Sequence, residues 1–153
     1  MRGTKSDDKL KETSKHLYYE IWMLNEIAKI STDNVIFNNS ILESFGIHAR
    51  CLYNFLFNTS GKQNYVLAID FFDNPTEWSQ ILTNKPSLSN KINKRVSEEL
   101  VHLTYTRTDV KPEDKEWKRE EILKEINALF KQFLVKAPKA RLPDELISFG
   151  KYI

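Results

Sequence analysis

Between Asn34 and Asn58 the chain reads NVIFNNSILESFGIHARCLYNFLFN, and this stretch constrains the fold more than any other. Ile41, Phe45, Ala49, Leu52 and Leu56 recur at helical spacing, and Phe37, Leu42, Phe55 and Phe57 widen the apolar surface nearly all the way round. A helix apolar on almost every side belongs inside a bundle. On one face, however, Glu43, Arg50 and Asn54 follow one another at spacings of seven and four, with Ile47 between them. Charges in so apolar a setting need partners, because burying an unpaired one costs several kcal/mol, roughly. A later helix carrying its own Arg and His is the expected source.

At 153 residues the chain fits one domain and can bury a real core. Only 4 glycines are present, which argues against an all-β sandwich full of tight turns. The net charge of +2 is too small to announce nucleic-acid binding by electrostatics alone. Cys51 is the single cysteine, so an intrachain disulfide and a zinc-ribbon pattern are both excluded; inside an apolar helix it reads as an inert buried thiol. No apolar run approaches a membrane span, and the polar start MRGTKSDDK lacks the apolar segment of a secretory signal. The expectation is a cytoplasmic protein with no membrane partner.

In chain order, Met1 to about Ser6 reads as disordered, and about Asp7 to Ile30 as one long helix with the stripe Leu10, Leu17, Ile21, Leu24 and Ala28. Ser31-Thr32-Asp33-Asn34 stops that helix and caps the next, which makes the first two helices an antiparallel hairpin. Gly61 marks the turn after helix two. The following 28 or so residues fit no long helix, yet Tyr65, Val66, Leu67, Ile69, Phe71, Phe72, Trp78, Ile81 and Leu82 are apolar enough to pin a compact crossover. A brief β excursion at Tyr65–Ile69 and a helical turn starting at Pro75 are both compatible with the pattern. Pro86 and Ser87 open a third helix from about Leu88 to Thr104 with the stripe Leu88, Ile92, Val96, Leu100 and Leu103. Pro112 fits the first turn of a fourth, which Trp117, Ile122, Ile126, Leu129, Phe130 and Phe133 carry to about Lys136. Residues 139–153 form a tail that docks as a short helix or strap. The predicted architecture is all-α: a single four-helix, up-and-down-type bundle with a long crossover between helices two and three.

The segment Arg95-Val96-Ser97-Glu98-Glu99-Leu100-Val101-His102 carries the strongest chemical signal. Seven residues separate Arg95 from His102, so both are expected on one side of helix three, about two turns or 10.5 Å apart. An Arg offers a planar fork of donors to phosphate. A His titrates near neutrality and can move a proton. Together they suffice, without metal or other cofactor, to help a 2′-hydroxyl attack the adjacent phosphate and to stabilise the charge that develops.

An Arg, four to six intervening residues and a His on a late helix of an all-α bundle resembles the motif of the HEPN superfamily, and Arg95 and His102, with six between, match its long end. Tyr105, downstream, and the polar-laced second helix are also similar. In this chain Val96 follows the Arg, where the superfamily commonly has a polar residue, often Asn, and Tyr105 follows His102 by three residues rather than two. The resemblance implies a metal-independent ribonuclease or an inactive RNA-binding module in a defence or toxin–antitoxin system, with RNA, an antitoxin protein or a second copy as partners. The residues it implies are Arg95 and His102 as catalytic groups with Tyr105 beside them; Glu43, Arg50, Asn54 and Arg107, read from their own positions, complete the supporting or binding shell. The stretches ESFGIHAR and VHLTYTR also resemble an uncharacterised bacterial helical family, which implies a fold and no activity.

Each of these residues has a simpler reading. Arg95 can pair with Glu98 or Glu99 on its own helix, a contact worth a few tenths of a kcal/mol, roughly. His102 can be a core-edge residue bonded to Glu43 or a carbonyl, His48 a packed core histidine, and Arg107 a solvated one. Glu99-Leu100-Val101-His102 has the ExxH spacing of di-iron bundles, but no second ExxH exists to complete such a site. Lys131, Lys136, Lys139 and Arg141 make a basic end that is also ordinary helix C-terminal chemistry. The alternative function is therefore a non-catalytic interaction or structural bundle whose Glu43, Arg50 and His102 lock the helices in register.

Overall fold

The computed structural model describes residues 5–83 and 89–153. Expectations for Met1–Thr4, and for Pro86 and Ser87 as helix openers, lie outside the described residues. Among the described residues there are seven α-helices: α1 (Asp7–Ala28), α2 (Val35–Phe57), α3 (Pro75–Leu82), α4 (Ser89–Arg95), α5 (Thr106–Asp109), α6 (Arg119–Lys136) and α7 (Asp144–Phe149). A π-helical turn, Val96–Val101, continues α4, and 3-10 turns occupy Ala68–Phe71, Pro112–Asp114 and Lys139–Arg141. No strand occurs among the described residues, so the class is all-α and the β excursion at Tyr65–Ile69 is absent.

The two long N-terminal helices form the expected hairpin. Ser6 caps α1, its hydroxyl accepting from the Lys9 N–H, and Asn34 caps α2 by accepting from Ile36 and Phe37. The α1 stripe is buried at Leu10, Leu17, Ile21 and Leu24. α2 packs on α1, α4 and α6 through Phe45, Ala49, Leu52, Phe55 and Leu56. Gly46 lets the π turn come close, since a Cβ there would stand 2.5 Å from Leu100 Cδ1.

The crossover is more ordered than its sequence suggests. Leu67, Ile69, Phe71 and Phe72 are buried, and Asp70 caps its 3-10 turn by accepting from the Leu67 N–H at 2.9 Å. Asn74 and Pro75 start a helix of two turns rather than one. That helix drives Trp78 into the core, where it is fully buried against Phe72 and Phe133 and donates its indole N–H to Leu56 O at 2.7 Å. The partner is a carbonyl of the last turn of α2, one of the four a helix leaves unpaired.

Two predicted helices are shorter than expected. Helix three ends at Val101: the His102 N–H bonds to Ser97 O at 2.8 Å in the i→i+5 manner of a π turn, and His102 itself is extended. Helix four starts at Arg119, with Pro112 in a separate 3-10 turn before it. The tail docks as α7, burying Leu142 and Leu146. Arg141 fixes it by donating to Asp7 at 2.7 Å, to Asp73 and to Phe71 O. Lys139 donates to Leu134 O near the end of α6. These two cations of the supposed basic end therefore serve the fold.

Three part-buried polar contacts tie the layers together. Asn25 on α1 and Asn127 on α6 exchange amide hydrogen bonds of 3.1 and 2.8 Å. Tyr53 on α2 donates its hydroxyl to Glu125 on α6 at 3.1 Å. His48 on α2 sits 2.7 Å, Nδ1 to Oε2, from Glu20 on α1 and packs edge-on to Tyr19.

Candidate functional site

Arg95, at the junction of α4 and the π turn, is committed to the fold. Its Nε and Nη2 meet both oxygens of Glu99 at 2.8 and 3.0 Å, the i,i+4 pairing that its spacing allowed. Nη2 also donates to Asp114 O at 2.9 Å and Nη1 to Glu116 O at 3.3 Å, while the guanidinium lies 4.4 Å over the Trp117 ring. It thereby staples the segment before α6 to the end of α4.

His102 lies beyond the helix on extended, exposed backbone. The π turn breaks the 3.6-residue period that placed it on the Arg95 side. Tyr105, 92% exposed, projects from the same connection. Arg107 turns back instead, donating to Glu98 O and Leu100 O at 3.3 and 3.2 Å, and so satisfies carbonyls of the π turn. A metal reading of Glu99 and His102 finds Glu99 held by Arg95 and His102 off the helix. Among the described residues no group of three or more His, Cys, Asp or Glu side chains could hold a metal ion.

The face of α2 singled out by its sequence stays together and points outward. Glu43 is exposed, and Ile47 is 50% exposed. Arg50, Cys51, Asn54 and Phe55 line a groove of about 510 Å³ with Ile47, completed by Asn64–Leu67 of the crossover and by Val96 and Val101 of the π turn. Among the described residues Arg50 is the sole charged one in that lining. Glu43, one helical repeat away at about 10.5 Å along the axis, is too distant to pair with it. Among the described residues no carboxylate stands within ion-pair distance of Arg50. Asn54 Oδ1 accepts from Asn58 and from Asn93, at 3.3 and 3.0 Å, which directs its amide N–H₂ elsewhere.

Cys51 corrects an expectation: it is exposed at the lip of the groove rather than buried. α2 is apolar nearly all round, but too few elements surround it to cover this face. Partial desolvation, then the charge of Glu20 and a hydrogen bond to it, push the thiol above its ordinary value, with nearby Arg50 opposing. It is a thiol at neutral pH, not a poised nucleophile.

The structure thus separates the seven residues singled out by sequence. Arg50 and Asn54 share the groove, Arg95 and Arg107 hold backbone, and His102, Tyr105 and Glu43 are exposed. Tyr65, Val66 and Val101 of the groove carried no sequence signal beyond being apolar, and Glu20 carried none. No family model matches the chain, and no curated protein or solved structure is significantly similar to it.

Proposed function

We propose that the protein is a non-catalytic, protein-binding helical module that docks a partner on the outward face of α2. On this reading the long helices serve as a four-helix bundle scaffold, with the crossover and tail as braces. One observation carries the reading: Ile36 and Ile47 are 76 and 50% exposed on the helix that also forms the centre of the core. Apolar side chains gathered on one exposed face mark interaction sites more often than scattered ones do. Ile36 and Ile47 are eleven residues apart, about three turns, so they fall on one stripe that leads into the groove.

A ribonuclease of HEPN type is the second reading. It draws support from His102 and Tyr105, both exposed on one connection where they could meet RNA. The engagement of Arg95 with Glu99 and two carbonyls favours the first.

The test pairs two measurements on the purified chain. Peptides selected from a random display library are titrated against wild type and against Ile36→Asp and Ile47→Asp, whose helicity is checked by circular dichroism. RNA integrity is followed in chelator for wild type and His102→Ala. Expected are peptides that lose affinity on both Asp variants, and intact RNA throughout. Chelator-resistant cleavage that vanishes in His102→Ala would overturn the proposal.

A further inference from the structure

The α2 groove also indicates the chemistry of its occupant. We infer that the partner is an amphipathic helix whose apolar ridge fills the groove and which presents a carboxylate side chain to Arg50 and Asn54. The inference rests on the protein-binding reading and adds the partner's charge and shape.

Charge is the first argument. Ile47, Phe55, Val66, Leu67, Val96 and Val101 make most of the groove wall apolar, and Arg50 is its single charge. A guanidinium in such a wall forfeits part of its hydration, and among the described residues no carboxylate offsets it. Glu20 of α1, which reaches neighbouring Cys51, is already engaged by His48 at 2.7 Å. Asn54 stands one turn from Arg50, and its Oδ1 accepts from both Asn58 and Asn93. Its N–H₂ and the Arg50 fork can converge on one carboxylate, the acceptor geometry that guanidinium matches.

Shape is the second. On α2 the groove runs from Ile47 to Phe55, about 12 Å or two helical turns, with the crossover and the π turn as its other walls, a trough that takes the ridge of one helix. A concave face is not complementary to itself, so a second copy of α2 would bring its own groove walls into collision. RNA is the weaker fit, because one cation in an apolar trough neutralises one phosphate and leaves the rest unmet.

The test uses three 18-residue helical peptides that share a Leu-rich ridge and differ at one flanking position, Glu, Gln or Lys. They are titrated by fluorescence anisotropy against the full chain, with a 12-nucleotide oligouridine as competitor, and the oligomeric state of the chain is read by analytical ultracentrifugation with and without the Glu peptide. Wild type should prefer Glu to Gln by about tenfold, as a charge-assisted bond across a partly wet contact implies, with Lys weakest. Arg50→Glu should invert the order to Lys, Gln, Glu, which a purely structural Arg50 would not do. Arg50→Gln, the milder variant, should flatten it while the protein keeps its wild-type melting curve. Equal binding of all three peptides to wild type, still lost in Ile47→Asp, would overturn the charge assignment and leave the protein-binding reading intact. Binding of none of them would overturn both. Displacement of the Glu peptide by oligouridine, or a dimer of the chain that the Glu peptide dissociates, would overturn the choice of occupant.

Discussion

Replacing Arg95 separates a structural arginine from a catalytic one, because the two roles predict opposite effects on stability. Arg95→Ala removes a bidentate pair with Glu99, two bonds to the carbonyls of Asp114 and Glu116, and the stack on Trp117. The side chains of Arg95 and Glu99 are 27 and 18% exposed, so the pair is discounted for screening to about 1 kcal/mol. The carbonyl bonds add about 1 kcal/mol together, and the cation–π contact about 0.5–1 kcal/mol. The sum is about 2–3 kcal/mol, or a fall in melting temperature of about 5–10 °C for a domain of this size. Urea unfolding followed by circular dichroism, with thermal melts at low and high salt, measures it. Arg95→Lys should recover less than half, since an ammonium reproduces neither the fork nor the stack. Melting of Arg95→Ala within about 1 °C of wild type would refute the reasoning and return Arg95 to the candidates for chemistry.

Trp78→Phe should cost about 3 kcal/mol in urea unfolding, because it opens a cavity at a fully buried site and strands Leu56 O without its 2.7 Å donor. Tyr53 should govern alkaline stability: burial, then the charge and hydrogen bond of Glu125, push its hydroxyl far above the ordinary value. The unfolded chain then releases this proton above about pH 10 while the folded one keeps it, so the contribution is whole below that pH and drains by about 1.4 kcal/mol per pH unit above it. Unfolding free energies from pH 9 to 11 should therefore fall less steeply in Tyr53→Phe than in wild type, and parallel curves would refute the assignment.

Much of the fold was legible because it follows from periodicity. The α1 stripe apart from Ala28, the α6 stripe from Ile122 to Phe133 and the apolar pins Leu67, Ile69, Phe71, Phe72 and Trp78 are buried where an apolar residue at helical spacing should be, while Tyr65 and Val66, expected as pins too, are exposed. The π turn was not legible. Val96-Ser97-Glu98-Glu99-Leu100-Val101 suits an α-helix equally well, and a one-residue slip in hydrogen-bond register leaves no mark on composition. That slip carries His102 away from Arg95, so the most specific chemical spacing in the chain is the one the backbone dissolves. The Arg95–Glu99 pair was readable from its i,i+4 spacing, but the carbonyls of Asp114 and Glu116 were not, since a backbone acceptor has no residue type to recognise.

Helix α2 shows the other limit of pattern reading. Its apolar circumference promised burial on all sides, and its Glu43–Arg50–Asn54 ladder promised partners from a later helix. Periodicity counts which faces are apolar but not how many elements exist to cover them. α1, α4 and α6 surround the Phe45–Ala49–Leu52–Leu56 side, and the π turn and crossover only flank the other. The later helix does carry its arginine, yet Arg95 finds its acid within its own helix and has nothing to offer the ladder. Two arginines of similar promise in sequence therefore differ in physical state. One has spent four donors and a ring face on the fold; the other faces a groove with no carboxylate among the described residues to meet it. Glu20 meets His48 and Asn25 meets Asn127, while Arg50 faces an apolar groove; on the proposed reading it is half of a contact whose other half a second molecule supplies.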